Sequence, residues 1–121
     1  MKFVFRLITV FALLLTGIHA TYADEEPQVF PELVSEVTAI VPGQPFRVAL
    51  VQEINPGWHT YWRTPGDSGA ATTLEWSLPT GFTAGEIAWP LPERIVYGPL
   101  INYGYHDRVV LPVVITPPPD L

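Results

Sequence analysis

The sequence predicts an all-β domain built as a β-sandwich, and three observations predict it. Short runs of β-branched and aromatic residues alternate with a period of two, as strands with one buried face do. Turn formers, mostly proline and glycine, separate these runs at a spacing of roughly ten residues. No stretch of useful length carries helical periodicity, and there is no internal repeat.

The first residues stand apart from that pattern. Lys2 and Arg6 make a basic start, and Leu7 to Ile18 is uncharged and mostly apolar. This run is shorter than the ~20 residues of a spanning helix. Thr21 and Ala23 put small side chains where a signal peptidase reads. Residues 1–23 are therefore expected to be a signal peptide cleaved before Asp24, with cleavage after Ala20 as the alternative. Residues 24–121 suit one small domain, soluble after cleavage. Losing Lys2 and Arg6 takes the net charge from −6 to −8, which argues against nucleic acid as a partner. None of the 121 residues is cysteine. They offer no disulfide, no lipid-attachment thiol and no thiol chemistry of their own.

Taken in order, residues 24–32 are acidic and proline-punctuated and read as an extended lead-in, with the sandwich domain over residues 33–121. Leu33 to Val41 is the expected first strand, with Val34, Thr38 and Ile40 on one face. Pro42-Gly43 turns the chain. Phe46, Val48 and Leu50 then alternate with Arg47, Ala49 and Val51 as a half-buried strand.

The densest stretch runs from Pro56-Gly57 to Gly66-Asp67-Ser68-Gly69, with turn formers at both ends. Trp58, Thr60 and Trp62 share one face of the strand between them; His59, Tyr61 and Arg63 share the other. The pattern favours a core strand, and the sharper reading makes the His59/Tyr61/Arg63 face a binding surface.

Thr72 to Leu78 alternates again, with Leu74, Trp76 and Leu78 inward. Phe82 to Trp89 is a poorer strand, and Pro90 to Gly98 is a loop too rich in proline for a central strand. A turn is expected at His106-Asp107. Val109, Leu111, Val113 and Ile115 then share one face of the strongest strand. Pro112 on its other face points to an edge or a bulge, and Pro117-Pro118-Pro119 ends regular structure. A sandwich wants at least one further strand beside this one, so the sequence reads as a domain short of its C-terminal strands.

Several residues invite chemistry. Gly66-Asp67-Ser68-Gly69 spells a serine-protease nucleophile motif, but His59 and His106 lack the expected context and the chain is half the needed length. A turn in which Asp67 caps its own backbone is the better reading. His59, His106 and Asp107 have no metal-ligand spacing, and His59 reads as an exposed strand residue. Trp58, Trp62 and Trp76 read as core, and Trp89, beside Pro90, as the exposed tryptophan. No catalytic, metal or cofactor residue is assigned.

The ordered motifs carry a resemblance. They are Pro-Gly-Trp-His-Thr-Tyr-Trp-Arg (56–63), Gly-Asp-Ser-Gly (66–69), Trp-Ser-Leu-Pro-x-Gly-Phe (76–82), Trp-Pro-x-Pro-x-Arg (89–94), Tyr-Gly-Pro-Leu-Ile-Asn-Tyr-Gly-Tyr (97–105) and Val-Val-Leu-Pro-Val (109–113). Their order and spacing resemble the N-terminal periplasmic domain of the DsbD family of thiol:disulfide interchange proteins, in particular its ScsB-like branch. The likeness runs from about Val34 to Pro119.

It implies an immunoglobulin-like β-sandwich in the periplasm of a Gram-negative bacterium. The domain would take electrons from a membrane-embedded donor domain and pass them to periplasmic thiol-redox proteins, with no small-molecule cofactor. The family's cysteine pair follows the segment matching Val109–Ile115. The intact protein would be a protein-disulfide reductase, and this chain alone would be inactive. The resemblance also implies a cap loop over the cysteines at Arg94-Ile95-Val96-Tyr97-Gly98. Val96 falls where the family carries an aromatic, which leaves Tyr97, or no aromatic, to shield the sulfurs. Tyr61 matches a tyrosine near the site. The alternative is a cysteine-free binding module using Trp89 and the Tyr97–Tyr105 segment.

Overall fold

The structure, a computed structural model, describes residues 25–121, so the expected signal peptide lies outside the described residues. Seven strands run in order: β1 (Val29–Ser35), β2 (Phe46–Ile54), β3 (Thr60–Gly66), β4 (Thr83–Ala84), β5 (Glu93–Tyr97), β6 (Leu100–Tyr105) and β7 (Arg108–Thr116). They form two antiparallel sheets, β1-β2-β7-β4 and β3-β6-β5. The described residues contain no helix. The fold is the expected all-β, immunoglobulin-like sandwich.

β7 is the centre of the packing. Val109, Leu111, Val113 and Ile115 are all buried, Leu111 completely, while Arg108, Val110 and Val114 face out. Opposite them in register stand Gln52, Leu50, Val48 and Phe46 of β2. The core joins both sheets: Ile54, Val109 and Leu111 pack with Tyr105 of β6, and Trp62, Ile87 and Trp89 close around them. Each fully buried aliphatic side chain of this kind contributes about 2 kcal/mol.

Pro112 is not on an edge strand, because β7 lies between β2 and β4. In an antiparallel strand one residue's N–H and C=O point to the same side. The Pro112 carbonyl accepts from Ala88 N at 2.8 Å, so its missing N–H faces the irregular 85–89 segment and not the long β2 ladder. The predicted strand over Phe82–Trp89 shrinks accordingly to the two residues of β4, continued only by the Gly85 N and Ala88 N bonds to β7.

Three other expectations change. The first strand is Val29–Ser35, not Leu33–Val41. It starts inside the expected lead-in because Val29 to Ser35 pair in unbroken register with Ile54 to Val48. Ile40 and Val41 are exposed near a turn closed by Gln44 N to Val41 O. Thr72–Leu78 keeps its alternation, Leu74, Trp76 and Leu78 half-buried between exposed neighbours, but is not a ladder strand. Pro90–Gly98 is not wholly a loop: its second half is β5, an edge strand, which leaves the prolines outside the ladder.

The β6–β7 connection carries the chain from one sheet to the other at the expected turn. Asp107 sits at φ 61°, the one non-glycine in the left-handed region among the described residues. Its carbonyl accepts from Ile54 N at 2.7 Å, tying the crossover to the end of β2.

Candidate functional site: an aromatic groove on the three-stranded sheet

The groove begins with a turn. Asn55-Pro56-Gly57-Trp58 closes through Trp58 N to Asn55 O at 3.1 Å, with Gly57 at φ 83°. Proline second and a positive-φ glycine third is what a type II turn requires. The turn throws Trp58 outward, 53% exposed. The expectation that Trp58 fills the core is therefore wrong, while Trp89, expected outside, packs against the core cluster.

β6 sorts the remaining side chains. Leu100, Asn102 and Gly104 lie on one face and Ile101, Tyr103 and Tyr105 on the other. Register places Tyr97 opposite Leu100, Ile95 opposite Asn102 and Tyr61 opposite Gly104. One face thus gathers Tyr61, Tyr97, Leu100 and Asn102. With Trp58, His59 and Ser68 they line a groove of about 520 Å3.

Of the residues assigned by resemblance, Tyr61 and Tyr97 are brought together in this groove. Val96 stands opposite Ile101 on the other face, 59% exposed, and Arg94 opposite Tyr103. Ile95 is buried on the same face as Asn102, and Gly98 opens the two-residue hairpin loop to β6 with φ 57°. The His59/Tyr61/Arg63 face does not stay together. The β3–β6 register breaks between Tyr61 and Gly66, and Arg63 stacks on Trp62, its Cζ 5.0 Å from the ring centroid.

The Gly-Asp-Ser-Gly motif is a clamp and not a nucleophile. Ser68 N donates to Asn102 Oδ1 at 3.0 Å, and Asn102 Nδ2 donates to Ser68 Oγ at 2.9 Å. Asp67 does not cap its own backbone: its Oδ2 accepts from Ile101 N at 2.8 Å, and its N–H donates to Ile101 O at 3.0 Å. Ser68 is thereby committed to Asn102, which is 2% exposed. The glycine after it has no room for a side chain, because the Tyr61 ring lies where a Cβ would stand.

His59 is half-buried, not the exposed strand residue expected. Its Nε2 is buried without a hydrogen-bond partner. Burial, and next the nearby His106, hold its pKa below the ordinary 6.5, so the imidazole in the groove wall is neutral. Tyr61 meets it edge-on at 5.0 Å, and His106 lies 5.7 Å away with its Nδ1 2.6 Å from Glu93 Oε2. Asp107 faces solvent. Among the described residues no three His, Cys, Asp or Glu side chains are placed to hold a metal.

Sequence reasoning missed Asn102 and Trp58. Asn102 left a signal: a lone amide in an otherwise apolar and aromatic strand is a candidate buried anchor. Trp58 left one in Pro56-Gly57, whose turn geometry reaches as far as residue 58.

The groove can receive an apolar or aromatic group against three rings and hold it with few polar atoms. None of its lining residues is a cysteine. The molecule is thus, in class, an immunoglobulin-like sandwich with an aromatic groove on one sheet. A family model described as thiol:disulfide interchange protein DsbD, N-terminal, matches residues 28–121, and the chain belongs to that family. No curated protein and no solved structure matches it. Among the described residues no helix is long and apolar enough to cross a membrane.

Proposed function

We propose that this domain is a periplasmic relay of reducing equivalents, receiving them from a membrane-embedded donor domain and passing them to periplasmic thiol-redox proteins. The motif order resembles the ScsB-like branch in particular, and residues 1–23 are read as an export signal. Family membership supports the reading, and one observation carries it: Tyr61 and Tyr97, assigned separately by resemblance, line the same groove.

The chemistry balances only with thiols outside residues 1–121, which contain no cysteine. In each step a thiolate attacks a disulfide sulfur, one S–S bond forms as another breaks, and two electrons move from the dithiol to the partner. The domain's own pair follows the segment matching Val109–Ile115. Tyr97 is the shielding side chain of the cap and Val96 is not. A ring over the sulfurs keeps a thiolate from adventitious oxidants until a partner displaces it.

The test begins with the coding DNA past the Leu121 codon and the protein that it encodes. That protein, reduced and then mixed with an oxidised periplasmic acceptor, is expected to form a trappable mixed disulfide. Tyr97→Ala is expected to speed its oxidation by a small-molecule disulfide. An encoded protein with no downstream cysteine pair would overturn the relay. Tryptophan fluorescence responding to a ligand without redox dependence would then favour a binding module.

A further inference from the structure

The three-stranded sheet carries a second set of side chains outside the groove, around the partly buried Trp62. We propose that Arg63, Trp62, Tyr103 and Arg94 form a docking ladder for an acidic, apolar-spaced peptide segment of a partner protein.

The ladder crosses all three strands. Trp62 of β3 meets Tyr103 of β6 edge-on at 6.3 Å, and Tyr103 stands in register with Arg94 of β5. Arg63 closes the β3 end by stacking on the Trp62 ring. The described chain has four arginines, and they divide cleanly. Arg47 pairs with Glu36 at 2.9 Å and Arg108 with Glu53 at 2.8 Å. Arg63 and Arg94 have no carboxylate within ion-pair distance among the described residues, although acids outnumber cations in the sequence by 12 to 6. Two unpaired guanidiniums flanking one aromatic pair are a local positive site on an acidic molecule.

The Arg63 guanidinium, held over the Trp62 ring and without a carboxylate partner among the described residues, can offer two parallel N–H bonds to a carboxylate. Beside it lies a shallow groove of about 310 Å3 whose walls include Trp62, Arg63, Trp89 and Leu91. Leu91 is 93% exposed, the most exposed large apolar side chain described. Carboxylates would meet the arginines, and an apolar side chain between them would cover Trp89 and Leu91. Tryptophan, tyrosine and arginine are the residues that carry most binding energy at protein interfaces. A polyphosphate chain fits worse, because it has no apolar group to set against Trp89 and Leu91.

The test titrates the chain with a capped peptide alternating glutamate and leucine, followed by tryptophan fluorescence and by the Arg63 Nε–H resonance. Saturable binding that weakens with added salt is expected, and glutamine in place of glutamate should abolish it. Arg63→Gln and Arg94→Gln together should weaken it about tenfold or more. Arg63→Lys should weaken it as well, since the charge stays and the fork is lost. Arg47→Gln, changing net charge equally far from the ladder, should leave it unchanged. The proposal is overturned if the glutamine peptide binds equally, if the double variant binds within about twofold of the original, if nothing saturates, or if an oligouronate binds and the peptide does not.

Discussion

The β2–β7 pair and the β3–β6 pair are both antiparallel, and they are held together by different forces. β2 and β7 keep unbroken register from Phe46 opposite Ile115 to Glu53 opposite Arg108. β3 and β6 agree at Thr60–Tyr105 and Tyr61–Gly104, lose register, and meet again at Gly66–Asn102. The first pair is fixed by an alternating apolar face, where a one-residue slip would expose every core side chain. The second is fixed by polar contacts and close backbone approach: the Asp67 and Ser68 clamps, and Gly104, where the Thr60 carbonyl leaves no room for a Cβ. The groove lies on the second pair. A broken ladder frees side chains to point where a regular strand would not send them, so the groove sits on the irregular sheet and the buried core strand on the regular one.

The largest expected effect tests the stability half of that contrast. Leu111→Ala should cost about 3 kcal/mol, since the side chain is wholly buried and its surroundings collapse only in part. Denaturant unfolding should show a lower midpoint at an unchanged slope. A loss below about 1 kcal/mol would mean that β7 is not the stabilising centre.

The same contrast explains what could be read from the sequence. β2 and β7 were legible because alternation reports a buried face directly: Val109, Leu111, Val113 and Ile115 needed no other information. Trp58 and Arg63 were not, because alternation assumes a straight strand, and the Asn55–Trp58 turn and the break after Tyr61 undo that assumption. β1 was misplaced because its residues are exposed and its boundaries come from pairing with β2. Tyr61 and Tyr97 were named without the reason they belong together, which is the register of β6 between them.

On the irregular pair the expected losses are smaller and specific. Asn102→Ala should cost about 2 kcal/mol, leaving the Ser68 N–H without its acceptor in a part-buried place. Ser68→Ala should cost about 1 kcal/mol, because the Asn102 carbonyl keeps the backbone bond. A double-mutant cycle should show that the two are coupled. If Ser68→Ala proved the costlier, Asn102 would not be the anchor of the clamp.

Gly69→Ala separates the groove from the core. Its φ of 84° disfavours any side chain, by about 1 kcal/mol. The added methyl also has to displace the Tyr61 ring. The expected outcome is modest destabilisation with large changes in the Tyr61 and His59 resonances and none at Leu111. Changes spreading into β7 would mean that the two sheets respond as one body.

The smallest effect is a dependence on pH, and its sign follows from burial. The folded state holds His59 neutral, with a pKa below 6.5, while the unfolded chain protonates near that value. Between the two the unfolded state binds more protons, so stability rises with pH across that window and falls on acidification below 6.5. Glu36 acts in the same direction lower down. Its carboxylate accepts from Arg47 N at 2.7 Å and from the guanidinium, which holds its pKa under 4.5, and that contribution is lost as pH falls through the lowered value. His59→Gln should flatten the stability curve just below 6.5 and leave the fall below 4.5 intact; Glu36→Gln should do the reverse. If His59→Gln left the upper slope unchanged, the imidazole would be solvated in the folded protein, and the groove would be wetter than its three rings make it.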